Sequence, residues 1–208
     1  MTTNKSRMAV FSTKWIAYTA ILTALVVATG YIPPIPTPAG RIYWVDGIVL
    51  LAAYLMDPIS AFICGGVGTL IYDIFKSPEM MLASLLIHGL QGAIASGLLH
   101  FVLPNRFKKY EWAKAVIFSV IAAVEVVLGY FIYRCITRGV PVAAASIPRN
   151  IIQEAIGISI AVTICYATTF KKQLERAGLL PDFKRELLQI SDNAETAKTV
   201  EPTDTAEK

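Results

Sequence analysis

Apolar residues run almost unbroken along residues 14–170, in stretches too long for ordinary core strands and separated by short polar or proline-rich breaks. The pattern predicts six helices: Lys14–Tyr31, Val45–Met56, Ile59–Phe75, Met80–Leu103, Trp112–Tyr133 and Ile147–Phe170. Most approach the ~20 residues that cross a hydrocarbon layer of ~30 Å; Val45–Met56 is short for that task. The first stops at "YIPPIPTPAGR", whose four prolines remove backbone donors and forbid helical continuation. Asp57-Pro58 makes the turn between the second and third, and "PNRFKKYEWAK" follows the fourth. Residues 171–190 fit a short basic amphipathic helix, and "SDNAETAKTVEPTDTAEK" reads as a disordered tail. No internal repeat of fixed period is visible.

The expected architecture is all-α: an integral membrane bundle of six transmembrane helices over 14–170, a cytoplasmic N-terminus at 1–13 and a cytoplasmic segment at 171–208. Composition agrees, with 55% hydrophobic residues, 16% charged and a mean hydropathy of +0.55. The first run is too long for a signal-peptide core and lacks a small-x-small cleavage site, so it reads as a retained helix. A net charge of +4 raises nucleic acid as a partner, but the basic residues stand beside the ends of apolar runs, where membrane orientation explains them better. Six spans place both termini on one side. That side holds Lys5, Arg7, Lys14, Arg106, Lys108, Lys109, Lys114, Lys171, Lys172 and Arg176, against Arg41, Lys76, Arg134, Arg138 and Arg149 on the other. Both termini are therefore expected in the cytoplasm, with the chain a multi-pass protein of the cell membrane.

On that topology the intramembrane polar groups gather in the outer half. Asp46 opens the second helix, Asp73 closes the third, His88 and Gln91 lie two or three turns into the fourth, and Glu125 is near the middle of the fifth, with Tyr130 and Tyr133 above it. Asn150, Gln153 and Glu154 occupy the outer turns of the sixth. A charged side chain at a helix centre costs ~2.5 to 3.5 kcal/mol on insertion scales, so these groups should face a shared cavity rather than lipid. Helical spacing supports this: Asn150, Gln153, Glu154 and Gly157 form one stripe, His88, Gln91, Gly92 and Ala95 another. A pocket open to the outside, roofed by the proline-rich loop with Tyr43 and Trp44, is expected. Structural alternatives stand beside it. The amides fit interhelical hydrogen bonding, Asp46 and Asp73 fit helix ends at the interface, and Tyr43 and Trp44 fit an aromatic belt. Two acids at similar depth, Glu125 and Glu154, favour a functional cavity.

Catalytic chemistry is not expected. "CGGVGTLIYD" lacks the GxxxxGK[ST] of a phosphate loop, and neither HExxH nor GxSxG occurs. Cys64, Cys135 and Cys165 are single, and no cysteine–histidine spacing suggests a metal. No enzyme, catalytic residue, metal site or cofactor is predicted. Gly65, Gly66 and Gly68 read as close helix packing, and Ala20, Ala24 and Ala28 form a small-residue strip that lets another helix approach.

These stretches together resemble the substrate-binding membrane subunits, or S components, of energy-coupling factor (ECF) vitamin transporters, most closely the riboflavin-type group. The resemblance covers about residues 14–170. It is carried by "YTAILTALVVA", "VDGIVLLAAYLMDPISAFICGGVGTLIYDIF", "LIHGLQGAIASGLL", "VEVVLGYFIY" and "IPRNIIQEAIG". It implies a six-helix protein that captures a vitamin outside, joins a membrane scaffold subunit and two ATPase subunits, and tips over in the bilayer to release its cargo. In that family an AxxxA pattern on the first helix contacts the scaffold; Ala20 and Ala24 match it here. The resemblance implies binding among the outer ends of the last three helices and the first loop. The candidate substrate-binding residues are Tyr43, Asp46, Asp73, His88, Gln91, Glu125, Tyr133, Asn150, Gln153 and Glu154.

Acids, His88, tyrosines and amides suit a neutral or cationic heterocycle such as a flavin, an aminopyrimidine or a pyridoxine-like ring. Arg41, Arg134 and Arg149 at the outer rim would instead attract an anion, although basic residues near helix ends also serve as interfacial anchors. A nickel or cobalt cargo fits poorly, because "MTTNKSRM" has no histidine. The competing function is a stand-alone proton-coupled carrier of a small organic solute, in which Glu125 and Glu154 pick up protons; against it stands the absence of an inverted repeat.

Overall fold

Ser12 starts the first helix by accepting the Trp15 N–H on its side-chain oxygen, so that α1 runs over Thr13–Gly30. Trp15, Thr19, Leu22, Val26, Thr29 and Gly30 recur every three or four positions and are buried, while Ala20, Ala24 and Ala28 face outward. The structure, a computed structural model, describes residues 10–38, 40–102, 110–177 and 180. The expectations for the first nine residues and for the tail beyond residue 180 lie outside the described residues.

The proline-rich stretch, expected as a loop, folds as a small hairpin. Strands β1 (Ile35–Thr37) and β2 (Gly40–Ile42) pair antiparallel, with Ile35 opposite Ile42 and Pro36 opposite Arg41. A two-stranded ribbon has only edge strands, where the missing proline N–H costs no ladder bond. Gly40, at φ +125°, supplies a turn conformation that side-chain-bearing residues rarely adopt.

Helix α2 (Val45–Leu55) is the centre of the molecule, with every one of its 11 residues buried. At ~1.5 Å per residue it is about 16 Å long, about half of a bilayer core. Its neighbours α1, α5 and α7 surround it. A helix enclosed in this way can be apolar on all sides, which explains both its uniform sequence and its shortness.

Asp57 then starts α3 (Pro58–Phe62): Oδ1 accepts the N–H groups of Ile59 and Ser60 at 3.0 Å each, and Oδ2 accepts the Trp15 indole N–H from α1. A π-helical turn, Ile63–Val67, leads into α4 (Gly68–Lys76). A 3₁₀ turn, Pro78–Met80, precedes α5 (Met81–Gly97), and another π turn, Leu98–Val102, follows it. A Cβ on Gly65 would lie 2.2 Å from the His88 carbonyl oxygen, so the first π turn rests directly on the α5 backbone. The glycines of this segment are packing residues, as their spacing suggested.

Helix α6 (Glu111–Arg138) is longer than expected, α7 (Val140–Val162) starts seven residues earlier than expected, and the two meet at Gly139, φ +84°. The expected connection after Tyr133 is helical. Pro148, beside the expected start of the sixth helix at Ile147, lies inside α7, and Pro141 takes the first-turn place that proline favours. A third π turn, Thr163–Ala167, ends this span, and α8 (Phe170–Ala177) follows.

Five segments are long and apolar enough to cross a membrane: Thr13–Gly30, Pro58–Lys76, Pro78–Phe101, Glu111–Arg138 and Val140–Ala167. Their outward faces carry exposed Ile21, Leu86, Ile117, Leu128, Ile132 and Ile151. Such a belt is unfavourable against water and suited to lipid. The protein is an all-α membrane bundle with one small hairpin at its end.

Candidate functional site

At the end of the bundle where α1, α4 and α6 finish and α2, α5 and α7 begin, the hairpin leans over a cavity of about 440 Å³. That volume lies in the range that holds drug-sized ligands. Arg41 and Tyr43 form its roof; Thr69, Tyr72 and Asp73 from α4 one wall; Ser84 and His88 from α5 the floor. Tyr130, Arg134 and Arg138 from α6 and Arg149, Asn150 and Gln153 from α7 close the other side.

The floor is held by hydrogen bonds that run through every helix around it. Gln153 accepts the Tyr43 backbone N–H on Oε1 at 3.0 Å, which turns its amide nitrogen toward Asp46, where it donates to Oδ2 at 2.8 Å. Asp46 is fully buried, and its Oδ1 lies 3.2 Å from His88 Nδ1. The same Nδ1 is 3.0 Å from Gln91 Oε1, and Gln91 Nε2 donates to Glu154 Oε2 at 2.8 Å. On the other side of the ring, His88 Nε2 is 3.0 Å from the Tyr130 hydroxyl, itself 3.0 Å from the Ser84 hydroxyl. Acceptors crowd Nδ1, which assigns the proton to that nitrogen and leaves Nε2 to accept from Tyr130. The ring is thereby fixed in tilt and tautomer.

Close backbone approach makes this network possible. A Cβ on Gly157 would sit 2.7 Å from the Asp46 Cβ. Only glycine lets α7 lie near enough to α2 for Gln153 and Glu154 to reach Asp46. Together with Gly65 beneath His88, it draws three helices onto one cluster.

The sequence-derived residues divide into groups. Tyr43, Asp73, His88, Asn150 and Gln153 line the cavity. Asp46, Gln91 and Glu154 lie buried behind its floor and bind one another and His88. Glu125 and Tyr133 do not line it. Glu125, on α6, is half-buried, close enough to His88 and Glu154 for electrostatic interaction, and its Oε2 has no hydrogen-bond partner among the described residues. Tyr133 donates its hydroxyl to the Glu79 carbonyl at the rim. One turn of helix separates Tyr130, inside the cavity, from Tyr133, outside it. Trp44, expected in the roof, turns its indole N–H to the Pro33 carbonyl at 3.0 Å and does not line the cavity either.

Tyr130, Ser84, Thr69 and Tyr72 belong to the cavity but were not among the candidates. Ser84 lies on α5 four residues before His88, a spacing that carries the His88 stripe one turn outward. Thr69 bonds the carbonyls of Gly65, Gly66 and Ser84, and nothing in its sequence surroundings marks it. Among the described residues no group of three histidine, cysteine or acidic side chains gathers to hold a metal.

Ala20 and Ala24 lie far from this cavity. With Trp15, Ile16, Thr19, Thr23, Val27, Ile63 and Ile71 they line a shallow apolar hollow on the outer face of α1.

Comparison with known proteins places the chain. The family model for the ECF-type riboflavin transporter, S component, matches residues 10–170. The thiamine precursor transporter HmpT of Lactococcus lactis subsp. cremoris (strain MG1363) is 28% identical over 176 residues, 83% of this chain and 94% of that protein. A protein of Pyrococcus woesei described as an uncharacterized protein in gap 3'region is 27% identical over 135 residues, 64% of this chain and 85% of that protein.

Proposed function

We propose, for a chain that belongs to the family of ECF-type riboflavin transporter S components, that its end cavity captures a water-soluble heterocyclic vitamin or vitamin precursor from outside the cell. Membership makes it a membrane-embedded, substrate-binding part of a vitamin transporter. The candidate cargo is a flavin, an aminopyrimidine or a pyridoxine-like ring, and the thiamine precursor specificity of its Lactococcus relative is in keeping with the second.

The observation that carries this reading is the oriented floor beneath a cavity of about 440 Å³. His88, Tyr130, Ser84 and Gln153 present fixed donors and acceptors at its surface, anchored below by Asp46, Gln91 and Glu154. A flat heterocycle with several ring heteroatoms gains from such fixed partners, because a mismatched analogue would leave buried polar groups unpaired at about 1 to 3 kcal/mol each. The hairpin would cover the ligand, and Tyr43 and Tyr72, with ring centroids 5.9 Å apart, offer aromatic faces at the wall.

Delivery inward would require a separate module of one membrane scaffold subunit and two ATPase subunits. The apolar hollow beside Ala20 and Ala24 is where the scaffold would dock, since small exposed residues let helices approach closely in lipid. With the termini in the cytoplasm, the cavity opens outward.

Calorimetry on the full chain in lipid nanodiscs, with riboflavin, hydroxymethylpyrimidine and pyridoxine as probes, tests the reading. Saturable one-to-one binding of one ring class, lost on Tyr130→Phe together with Gln153→Leu, is the expected result. Absence of binding to all three, with no heterocycle released on denaturing the purified protein, would overturn it.

A further inference from the structure

The outer wall of the cavity carries more positive charge than its neighbours neutralise. Four arginines line it, Arg41, Arg134, Arg138 and Arg149, against two carboxylates, Asp73 and Glu79. Glu79 pairs with Arg138 at 3.8 Å on the exposed rim. Asp73 lies near His88, with which it interacts electrostatically. That leaves Arg41, Arg134 and Arg149 against Asp73 and, from behind the floor, Asp46, which acts on Arg149 electrostatically.

Their hydrogen bonding is also incomplete. Among the described residues Arg149 is hydrogen-bonded to neutral acceptors alone, the Arg41 carbonyl at 3.3 Å and the Asn150 Oδ1 at 2.6 Å. Its buried Nε has no partner among the described residues. Arg134 Nε is likewise buried without a partner, and no carboxylate pairs with this side chain among the described residues. Asn150, 3% exposed, spends its oxygen on Arg149 and leaves its Nδ2 unpartnered. Arg134 and Arg149 are near enough to repel one another. Three unmatched donors on two adjacent helices, two of them cationic, line one side of the cavity. Such a set is unfavourable empty and favourable around an oxyanion, whose lone pairs accept several N–H groups at once.

We propose that Arg134, Arg149 and Asn150 form a phosphate subsite, and that the cargo is the phosphate monoester of a heterocyclic vitamin or precursor, with its ring on the His88–Gln153 floor. The inference rests on the vitamin-capture reading and narrows its substrate class. Donor number selects phosphate over carboxylate: three unmatched N–H donors, on Arg134, Arg149 and Asn150, suit a group with three terminal oxygens, whereas a carboxylate offers two. Arg149 is braced by the hairpin through the Arg41 carbonyl, so the position of the roof and the alignment of the subsite are coupled.

The test measures pairs of ligands on the full chain in neutral-lipid nanodiscs. The pairs are riboflavin and its 5′-phosphate, hydroxymethylpyrimidine and its monophosphate, pyridoxine and its 5′-phosphate, and pyridoxine with 4-pyridoxate as the carboxylate arm. The readout is the Kd ratio within each pair, so that a general loss of folded protein cancels. The phosphate member of the pair that binds is expected to be at least about tenfold tighter, with the ratio shrinking as salt rises. Arg134→Gln and Arg149→Gln should each bring the ratio toward one, while Lys114→Gln, which removes the same charge near the start of α6, should not. Equal or tighter binding of the neutral member would overturn the subsite and leave vitamin capture standing. A preference for 4-pyridoxate over both pyridoxine and its phosphate would overturn phosphate in favour of carboxylate. Failure of every member to bind would end both readings.

Discussion

Gln153 and Asp46 meet across the contact between α7 and α2, with Nε2 2.8 Å from Oδ2, and the amide's other end takes the Tyr43 N–H just below the hairpin. One side chain thus ties the roof of the cavity to its deepest carboxylate. Gln153→Leu would leave the Tyr43 N–H and one Asp46 oxygen unpaired, at about 1 to 3 kcal/mol for each buried group. Ligand affinity should fall by roughly tenfold or more, read by titration calorimetry; unchanged affinity would separate the roof from binding.

Gly157→Ala tests the helix approach itself. Its new methyl would lie 2.7 Å from the Asp46 Cβ and 3.1 Å from the Gly47 nitrogen, so α7 must move outward. Overpacking of this kind costs about 1 to 3 kcal/mol. A lower Tm should accompany weaker binding, because the same shift pulls Gln153 and Glu154 from Asp46.

Tyr130→Phe removes the only hydroxyl that reaches His88 Nε2 among the described residues. Ring burial is kept, but His88 Nε2 loses its donor, so Tm should fall modestly. Ligand affinity should drop by about 5- to 150-fold, the equivalent of one unpaired buried acceptor. Tyr133→Phe, one turn away and outside the cavity, should leave affinity unchanged, and an equal effect of the two would refute the assignment of Tyr130 to the site.

Trp15 and Asp57 lock α1 to the start of α3 at the end of the bundle away from the cavity. Asp57→Ala loses two helix-start bonds and the indole partner, and should lower stability by about 1 to 3 kcal/mol. Thermal unfolding in detergent would show it, with Kd for the vitamin unmoved.

Ala20→Trp and Ala24→Trp would fill the hollow on α1. Vitamin binding by the isolated chain should persist while cellular uptake is lost. Uptake that survives these changes, or survives deletion of the ATPase subunits, would point to a stand-alone proton-coupled carrier instead.

The run lengths in the sequence already define a membrane bundle, because a ~20-residue apolar stretch has few other stable fates. Helical spacing likewise put Asn150, Gln153 and Glu154 on one stripe, and all three are buried on the inner side of α7. Spacing carries no information on depth, however. It could not tell Tyr130 from Tyr133, or show that Glu125 stays out of the cavity that Asp73 lines. The hairpin was hidden by its prolines, and the early start of α7 by Pro148, since each is a residue whose local preference admits two structures.

The order of residues is enough to settle which segments enter the bilayer and which of their faces are polar, since both follow from transfer energies that each residue carries wherever it goes. Which polar faces meet is settled only in three dimensions, because that depends on how near backbones can come. Gly65 and Gly157 permit the approach, α2 supplies the shared buried surface, and the unmatched guanidiniums of Arg134 and Arg149 become a feature only once the two helices stand side by side.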